Sequence, residues 1–371
     1  MQTDMHYYGT YALARLAGFS VTEAETIAYS AQYVDDSTQS DSKPHEDGGL
    51  LYGIATAHTN TQVIKNRIVD KVQQRRVWTP FHFLPGGEGT TTEEKLRCVK
   101  DSDIAKQMLR NHILHSVKAS YGLHLMGIAC HVYADTFSHY GFSGISSQYN
   151  KIQNPTPLDV KDEAMRAYLV NKHLNFIAKY APKWWLKLQR RFFSRIGEDF
   201  SGALGHGAAG TFPDRPYLKW KLTYEATGEV EIRNNTETFL EGCEKIYNQL
   251  VLFGKTRNLE HEALKSFDSV KEQIANILAA ELPMKSTPDN GNGRIDLWKD
   301  AITGGDLFEP EQNEALAYDH HKWEQQKDNF HTLPTSTHGS ELDVYKFHQA
   351  ATYHRYYVLK DLLPKNGIVV F

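Results

Sequence analysis

The sequence predicts a mainly α-helical protein that carries inserted loops and one small β-hairpin. Helix start and stop signals punctuate most of the chain. The long apolar stretch 121–144 spaces its polar residues at helical rather than strand intervals. Strand-like alternation is confined to residues 217–233, where Thr227-Gly228 is typical of a turn. We therefore expect a helical bundle into which the hairpin is inserted.

Two helices are predicted at the start of the chain. Residues 6–16 are apolar all round, and Gly18 follows them at a position typical of a helix C-cap. Ser20 and Glu23 then have the spacing of a capping box, in which each residue accepts a hydrogen bond from the backbone of the other. The second helix should run from this box to about residue 34.

After the second helix the chain becomes polar and rich in turn residues, beginning at Asp35 and Asp36. Residues 77–87 contain Pro80 and a second proline, which should exclude a helix interior and give an extended segment presenting His82. The other predicted helices cover residues 104–117, the stretch 121–144, and residues 157–180, 236–253, 260–280, 310–330 and 342–363.

A chain of 371 residues can bury a large core, and no internal repeat is visible. We expect one large helical domain, residues 1–371. Within it, the sequence predicts a metal-site core at 1–215, the hairpin insertion at about 217–233 and C-terminal helices at 236–363.

The composition narrows the class of partner. With 41 basic and 45 acidic residues, the net charge of -4 provides no overall field that would attract nucleic acid or an anionic membrane. Neither a signal-peptide pattern nor an apolar run of about 18 residues is present, so we expect a protein that is cytoplasmic as synthesised, with export by a signal-less route left open. Three scattered cysteines make a disulfide framework improbable, whereas 18 histidines favour metal binding.

The strongest metal signal is a stripe of polar residues within stretch 121–144. His124, His131, Asp135 and His139 fall within roughly 80° of one another on a helix that advances about 100° per residue. Imidazole and carboxylate groups on one face can converge on several cations. We interpret the last three as ligands and His124 as a supporting residue.

Further candidates come from other segments. In chain order they are Asp4, His6, Asp35, Asp36, His82, His206 and Asp214. His45 or His58 is an alternative to His82, because both precede it in the same early region.

This order of candidates resembles the superfamily of trinuclear zinc phosphodiesterases, which contains bacterial zinc-dependent phospholipase C and the single-strand nucleases of fungi and plants. In that superfamily a histidine opens the first helix, as His6 does here. An aspartate after the second helical segment matches Asp35 or Asp36. A His-x-x-x-Asp pair on a buried helix matches His131 and Asp135.

The resemblance extends over residues 4 to about 214, with departures. His82, followed by a phenylalanine, is similar to a ligand on an extended segment, but His139 lies closer to the helix aspartate than the family's corresponding histidine usually does. His206 with Asp214 replaces a closing pair whose spacing does not match. Those enzymes also use the amine of the mature N-terminus as a zinc ligand, and we expect Asp4 to take over that position.

The resemblance implies two or three zinc ions, with Asp135 bridging between ions. The implied ligand sets are His82, His131, Asp135 and one of Asp35 and Asp36 for one ion, His139, His206 and Asp214 for the second, and Asp4 with His6 for the third. The remaining aspartate of the Asp35/Asp36 pair would be the catalytic group that orients or deprotonates water. Arg215 is either a phosphate clamp in substrate binding or part of a surface ion pair.

We therefore expect a phospholipase C-like phosphoric-diester hydrolase. The alternatives are a nuclease for single-stranded nucleic acid, and a metal-stabilised binding or effector protein without catalysis. The same ligands also accept manganese or iron. A segment with Trp184, Trp185, Phe192 and Phe193 among basic residues suits peripheral contact with a phospholipid membrane, stacking of single-stranded nucleic acid, or simple burial of its aromatic side.

Overall fold

Helices dominate the computed structural model, which describes residues 1–58, 71–180, 204–282 and 292–370. The longer helices are α1 (Thr10–Leu16), α2 (Val21–Asp36), α3 (Asp103–Ser116), α4 (Gly122–His139), α5 (Glu163–Tyr180), α6 (Asn235–Arg257), α7 (Lys271–Ala279), α8 (Asn292–Gly304), α9 (Lys322–Asp328) and α10 (Asp343–Tyr357). The shorter α-helical segments are Lys71–Gln73, Thr79–Phe81, Thr92–Lys95 and Leu363–Lys365, and π-helical turns cover Asp4–Gly9, Gln74–Trp78 and Val358–Leu362. The prediction of a mainly α-helical protein is confirmed.

Within the described segments, two small antiparallel sheets accompany the helices. The first pairs β1 (Ser42–Pro44) with β2 (Leu50–Tyr52). The second has the order β3-β4-β5 and consists of β3 (Ile152–Leu158), β4 (Lys219–Tyr224) and β5 (Val230–Asn234). Strands β4 and β5 are the hairpin predicted at 217–233.

Strand β3 was not predicted, and a helix beginning at Pro157 was wrong. Pro157 pairs with Trp220 of β4, and helix α5 begins only at Glu163. Because β3 is an edge strand, its prolines can lack a backbone donor without interrupting the rest of the sheet.

Helix α4 lies at the centre of the fold. Every residue of α4 except Leu123 is buried, because helices α2, α3, α6 and α10 all pack against it. The closest approach is at Gly127, where a Cβ atom would lie 2.3 Å from the carbonyl oxygen of Ile27 and 2.5 Å from the Cβ of Ser30. A glycine at this position therefore brings the backbone of α2 next to the polar stripe of α4.

The helix signals at the start of the chain are confirmed. Gly18 has φ +96° after α1, as a C-cap requires, and Ser20 forms the complete capping box with Glu23 at the start of α2. Ser102 caps α3 by accepting a hydrogen bond from the backbone N–H of Ala105 at 3.1 Å.

The extended segment predicted at 77–87 was wrong in its first part. The turn Gln74–Trp78 continues into the short helix Thr79–Phe81, and His82 follows its end. Pro80 is tolerated there because residues in a first helical turn have no intrahelical acceptor for their N–H groups.

Two later helices were predicted too long. Between α6 and α7 the chain is irregular, since the backbone N–H of Leu264 and Nε2 of His261 bind the carbonyl groups that end α1. In the stretch 310–330, Ala315 accepts a hydrogen bond from the Tyr7 hydroxyl at 2.8 Å, and only α9 is a longer helix. Tertiary hydrogen bonds replace the helical pattern in both places.

None of the described helices is long and apolar enough to span a bilayer. The aromatic and basic segment with Trp184, Trp185, Phe192 and Phe193 lies outside the described residues.

Candidate metal centre

Asp135 is the centre of a buried group of imidazoles. Its side chain is 1% exposed, and Oδ2 lies 3.2 Å from Nε2 of His131, 3.4 Å from Nδ1 of His82 and 3.5 Å from Nδ1 of His139. Its other oxygen, Oδ1, lies 3.3 Å from Nε2 of His6. Ligands predicted from three distant segments therefore converge on the polar face of α4.

The described residues form three groups in which candidate ligand atoms lie within 4.8 Å of one another. We name them the first cluster (His6, Asp35 and His131), the second cluster (His82, His131 and Asp135) and the third cluster (His139, His206 and Asp214). His131 belongs to two of them. His206 and Asp214, which we predicted in place of the family's closing pair, both lie with His139 in the third cluster.

Four of these imidazoles are fixed by the nitrogen that faces away from their cluster. Each donates a hydrogen bond to a backbone carbonyl group, and the four bonds are His82 Nε2 to Thr56 (2.8 Å), His131 Nδ1 to Ala31 (2.7 Å), His139 Nδ1 to His82 (2.8 Å) and His206 Nδ1 to Gly210 (2.8 Å). Such bonds fix the tautomer and leave a lone pair on the other nitrogen, as is usual for histidines that bind metals.

The lone pairs then face one another and a carboxylate. Nε2 of His131 lies 3.2 Å from Nδ1 of His82 and 3.2 Å from Oδ2 of Asp135. When both rings are neutral, these three atoms are acceptors with no proton between them. A cation would turn this repulsion into attraction. The spacing also fits, because tetrahedral ligands at about 2.0–2.1 Å from a zinc ion are about 3.3 Å apart.

His6 adds an independent indication. It is fully buried, and within the described part of the chain neither ring nitrogen has a hydrogen-bond partner. Burial lowers the pKa of His6 to about 3, so the ring is neutral at pH 7. It stacks on His131 with ring centroids 3.8 Å apart. Buried polar atoms are rarely left unpaired in native proteins, and a metal ion would provide the missing partner.

The carboxylates of the centre are ionised. Burial alone would raise the pKa of Asp135, but His139, the Met1 amino group and His131 hold it well below its usual range. Burial would likewise raise the pKa of Asp214, but His206 and the Met1 amino group keep it below its usual range. Burial alone would lower the pKa of His82, but Asp135 and Asp35 raise it. A metal ion that bound between these groups would displace such a proton, because imidazole coordinates a metal only in its deprotonated form.

The predicted role of Asp4 was wrong. Its Oδ2 accepts a hydrogen bond from Nε of buried Arg294 at 2.6 Å, and none of the clusters includes it. The amino nitrogen of Met1 lies closer to the clusters than Asp4 does, 2.9 Å from Oδ1 of Asp135 and 3.3 Å from Oδ1 of Asp214. A buried carboxylate beside a buried guanidinium pairs with it, since separation would leave an uncompensated charge. The two residues are 290 positions apart, so no local sequence pattern indicates the pair.

The structure separates the two aspartates at the end of α2. Asp35, whose side chain is 34% exposed, lies 3.7 Å from Nδ1 of His82 and belongs to the first cluster. The carboxylate of Asp36 instead accepts hydrogen bonds from Tyr318 and Gln32, and burial raises its pKa to about 6. Of the two, only Asp35 therefore belongs to a cluster, and the prediction of Asp36 as a ligand or catalytic group is not supported by its position.

Arg215 is not placed as predicted, either as a clamp or as a surface residue. It is fully buried, and it donates hydrogen bonds to Thr211 and to the hydroxyl of Tyr217, both at 3.1 Å. Its guanidinium also packs over the ring of Tyr168. These contacts stabilise the loop that carries Asp214.

The other early histidines lie outside the clusters. His124 binds Asp343 at 3.1 Å and so connects α4 to α10. Nε2 of His45 binds the carbonyl group of Leu333. His58 packs near Trp78 but belongs to no cluster. Of the three alternatives His45, His58 and His82, only His82 belongs to a cluster of the described residues.

The comparisons with known proteins add a family but no activity. A family model matches residues 1–362, which include all three clusters, and it describes a family of unknown function, DUF6765. No curated protein matches the chain. No solved structure matches it either. The chain therefore belongs to DUF6765, a family of unknown function.

Proposed function

We propose that the protein is a metal-dependent phosphoric-diester hydrolase, similar in chemistry to the zinc phospholipases C. The observation that carries the proposal is the position of Asp135, a buried carboxylate shared by imidazoles whose far nitrogens are anchored on backbone carbonyl groups. An arrangement of this kind can hold cations that share ligands.

Closely spaced cations suit phosphodiester hydrolysis. The substrate is an anion that repels hydroxide, and two zinc ions roughly 3.5–4 Å apart neutralise its oxygens while lowering the pKa of bound water to about 7. The second cluster (His82, His131 and Asp135) would hold one ion and the third cluster (His139, His206 and Asp214) another. The first cluster, in which His6 and Asp35 share His131 with the second, would hold a third ion. Asp35 is the most exposed of these side chains, so we place the substrate on its side.

Zinc is the metal we propose, although manganese and iron accept the same ligands. Elemental analysis of the purified protein tests this first. We expect two or three zinc ions per chain. A preparation that takes up no divalent metal would contradict the proposal.

Activity can be tested with a chromogenic phosphodiester in the presence and absence of a chelator. We expect hydrolysis to stop when metal is removed and to fall at least about 100-fold in Asp135→Asn, because the shared ligand is weakened. Asp36→Asn is the matched control, since it neutralises a neighbouring, partly buried carboxylate outside the clusters. Activity that resists both the chelator and Asp135→Asn would reject the mechanism.

The natural substrate is tested separately. Diglyceride released from phosphatidylcholine vesicles would support the phospholipase, and nucleotides released from single-stranded DNA would support the nuclease. A fully metal-loaded protein that cleaves neither these substrates nor the chromogenic diester would indicate a metal-stabilised binding protein.

A further inference from the structure

Helix α10 contacts the backbone immediately before the candidate ligand His82. His354 on α10 is fully buried and donates a hydrogen bond from Nε2 to the carbonyl group of Pro80 at 2.8 Å. Its ring also packs against Phe81, with centroids 5.0 Å apart. Both residues that precede His82 are therefore held by one imidazole.

The same helix also contacts the segment that fixes the His82 imidazole. His348 accepts a hydrogen bond at Nδ1 from the backbone N–H of Ile54 at 3.2 Å. Two residues further, the carbonyl group of Thr56 accepts the bond from Nε2 of His82 at 2.8 Å. Helix α10 thus holds both the backbone and the hydrogen-bond acceptor of His82.

The direction of these bonds is fixed by neutral rings. Burial lowers the pKa of His348 to about 3 and that of His354 to about 4, so both are neutral at pH 7. Because Nε2 of the neutral His354 ring donates to the carbonyl group of Pro80, its Nδ1 is an acceptor. It accepts a hydrogen bond from Nε2–H of His112 at 2.8 Å. His112 therefore orients His354 from helix α3.

We infer that His354 and His348 are positioning residues of the metal centre, which set the direction in which His82 presents Nδ1 to its cluster. The inference rests on the proposed metal site. The hydrogen bonds of both histidines go to backbone groups rather than to the ligand atoms of the clusters. His354 therefore acts through Pro80, and His348 acts through the segment that contains Ile54 and Thr56.

The test measures metal affinity by competition with a chromogenic chelator, together with the absorption spectrum of the Co²⁺-loaded protein. His354→Phe keeps a ring but removes the donor, and we expect metal affinity to fall about 10–100-fold with an altered Co²⁺ spectrum. His354→Gln retains an N–H donor and should restore most of the affinity. His261→Phe is the matched control, since it removes a similar bond, Nε2 to the carbonyl group of Ala17 at 2.7 Å.

The outcomes separate this inference from the proposed function. If the unsubstituted protein binds no metal, the proposed function fails and this inference fails with it. If that protein binds metal and His354→Phe matches His261→Phe in affinity and spectrum, only the positioning role is overturned. Should His354→Phe not fold, His348→Phe gives the same comparison, and wild-type affinity and spectrum there would overturn the role.

Discussion

At the scale of single residues, Thr56 connects two candidate ligands. Its hydroxyl donates to the carbonyl group of Val34 at 2.7 Å, and its backbone N–H donates to that of Ser37 at 2.8 Å. Both acceptors flank Asp35 at the end of α2. Since the carbonyl group of Thr56 also accepts the bond from His82, one residue connects the two candidate ligands through its side chain and its backbone.

Thr56→Val should therefore weaken metal binding as well as stability. It replaces the hydroxyl by a methyl group and leaves the carbonyl group of Val34 without this donor, which should cost about 1 kcal/mol of unfolding free energy. Chemical denaturation and chelator competition measure the two effects. Thr26→Val removes a hydroxyl bond on the exposed side of α2 and should leave metal affinity unchanged, and equal affinities in the two variants would refute the role of Thr56.

Stability should also depend on pH through His354. Burial lowers its pKa to about 4 from an ordinary value of 6.5, so between these values the unfolded chain is protonated and the folded chain is not. The unfolded state then binds more protons, and stability falls as pH decreases from 6.5 to 4, by about 1.4 kcal/mol per pH unit for a fully buried group. Between pH 6.5 and 4, the free energy of unfolding of His354→Gln should fall less steeply than that of the wild type, as measured by chemical denaturation. Parallel plots of unfolding free energy against pH would contradict this.

At the scale of elements, the contact between α2 and α4 places the ligands. The absence of a side chain at Gly127 lets the two helices approach, and one turn later Nδ1 of His131 reaches the carbonyl group of Ala31 at 2.7 Å. The same approach brings Asp35, at the end of α2, to the first cluster. The helix contact and the ligand geometry are therefore coupled.

Gly127→Ala should disturb both the contact between α2 and α4 and the geometry of the candidate ligands. The new methyl group would lie 2.3 Å from the carbonyl oxygen of Ile27, so α2 must move, at a cost of about 1–3 kcal/mol of unfolding free energy. Metal affinity should fall with it, because His131 and Asp35 separate. Gly304→Ala, at the end of α8, meets no atom within 4 Å and is the control. A stable Gly127→Ala protein with unchanged affinity would show that the contact does not set the site.

At the scale of the whole molecule, the C-terminal part of the chain supports the clusters from outside. Its contacts are Arg294 to Asp4, Ala315 and Leu316 to the hydroxyls of Tyr7 and Tyr8, Tyr318 to Asp36, and His354 to Pro80. Each of these contacts lies within two residues of a candidate ligand. The resemblance to the zinc phosphodiesterases does not extend to this region.

Removing metal should therefore destabilise the whole protein. A ligand that binds only the folded state stabilises it, by about 2.7 kcal/mol at a free concentration 100 times the Kd. We expect a chelator to lower the Tm by several degrees in thermal melts of the unsubstituted protein and to have little effect on Asp135→Asn. Identical melts of the unsubstituted protein with and without a chelator would show that no metal stabilises the fold.

Local patterns in the sequence were sufficient to predict the helices that pack at the centre of the fold and part of the candidate site. The capping box at Ser20 and the periodic apolar residues of α4 depend on neighbours in the chain, so they could be predicted. The spacing of His131 and Asp135 placed them on one face for the same reason. The other ligands were predicted through their order along the chain.

Long-range pairing accounts for the errors. Nothing near Asp4 indicates that Arg294 will bind it, and the pairing of β3 with β4 depends on a free strand edge formed elsewhere in the fold. Likewise, the i, i+6 spacing of His348 and His354 on α10 excludes a shared metal, so the sequence indicates no role for them at the site. Their partners, Pro80 and Ile54, are identified only by the tertiary structure.

The distribution of the ligands along the chain also determines when the metal can be acquired. His6 is synthesised near the beginning, His206 and Asp214 much later, and the α10 residues that hold the His82 segment come near the end of the described chain. A growing chain on the ribosome would offer an ion little more than single imidazoles and the His131/Asp135 pair. If the clusters bind metal as proposed, uptake would follow completion of synthesis and folding, and the folded apo protein would be the species that competes for metal.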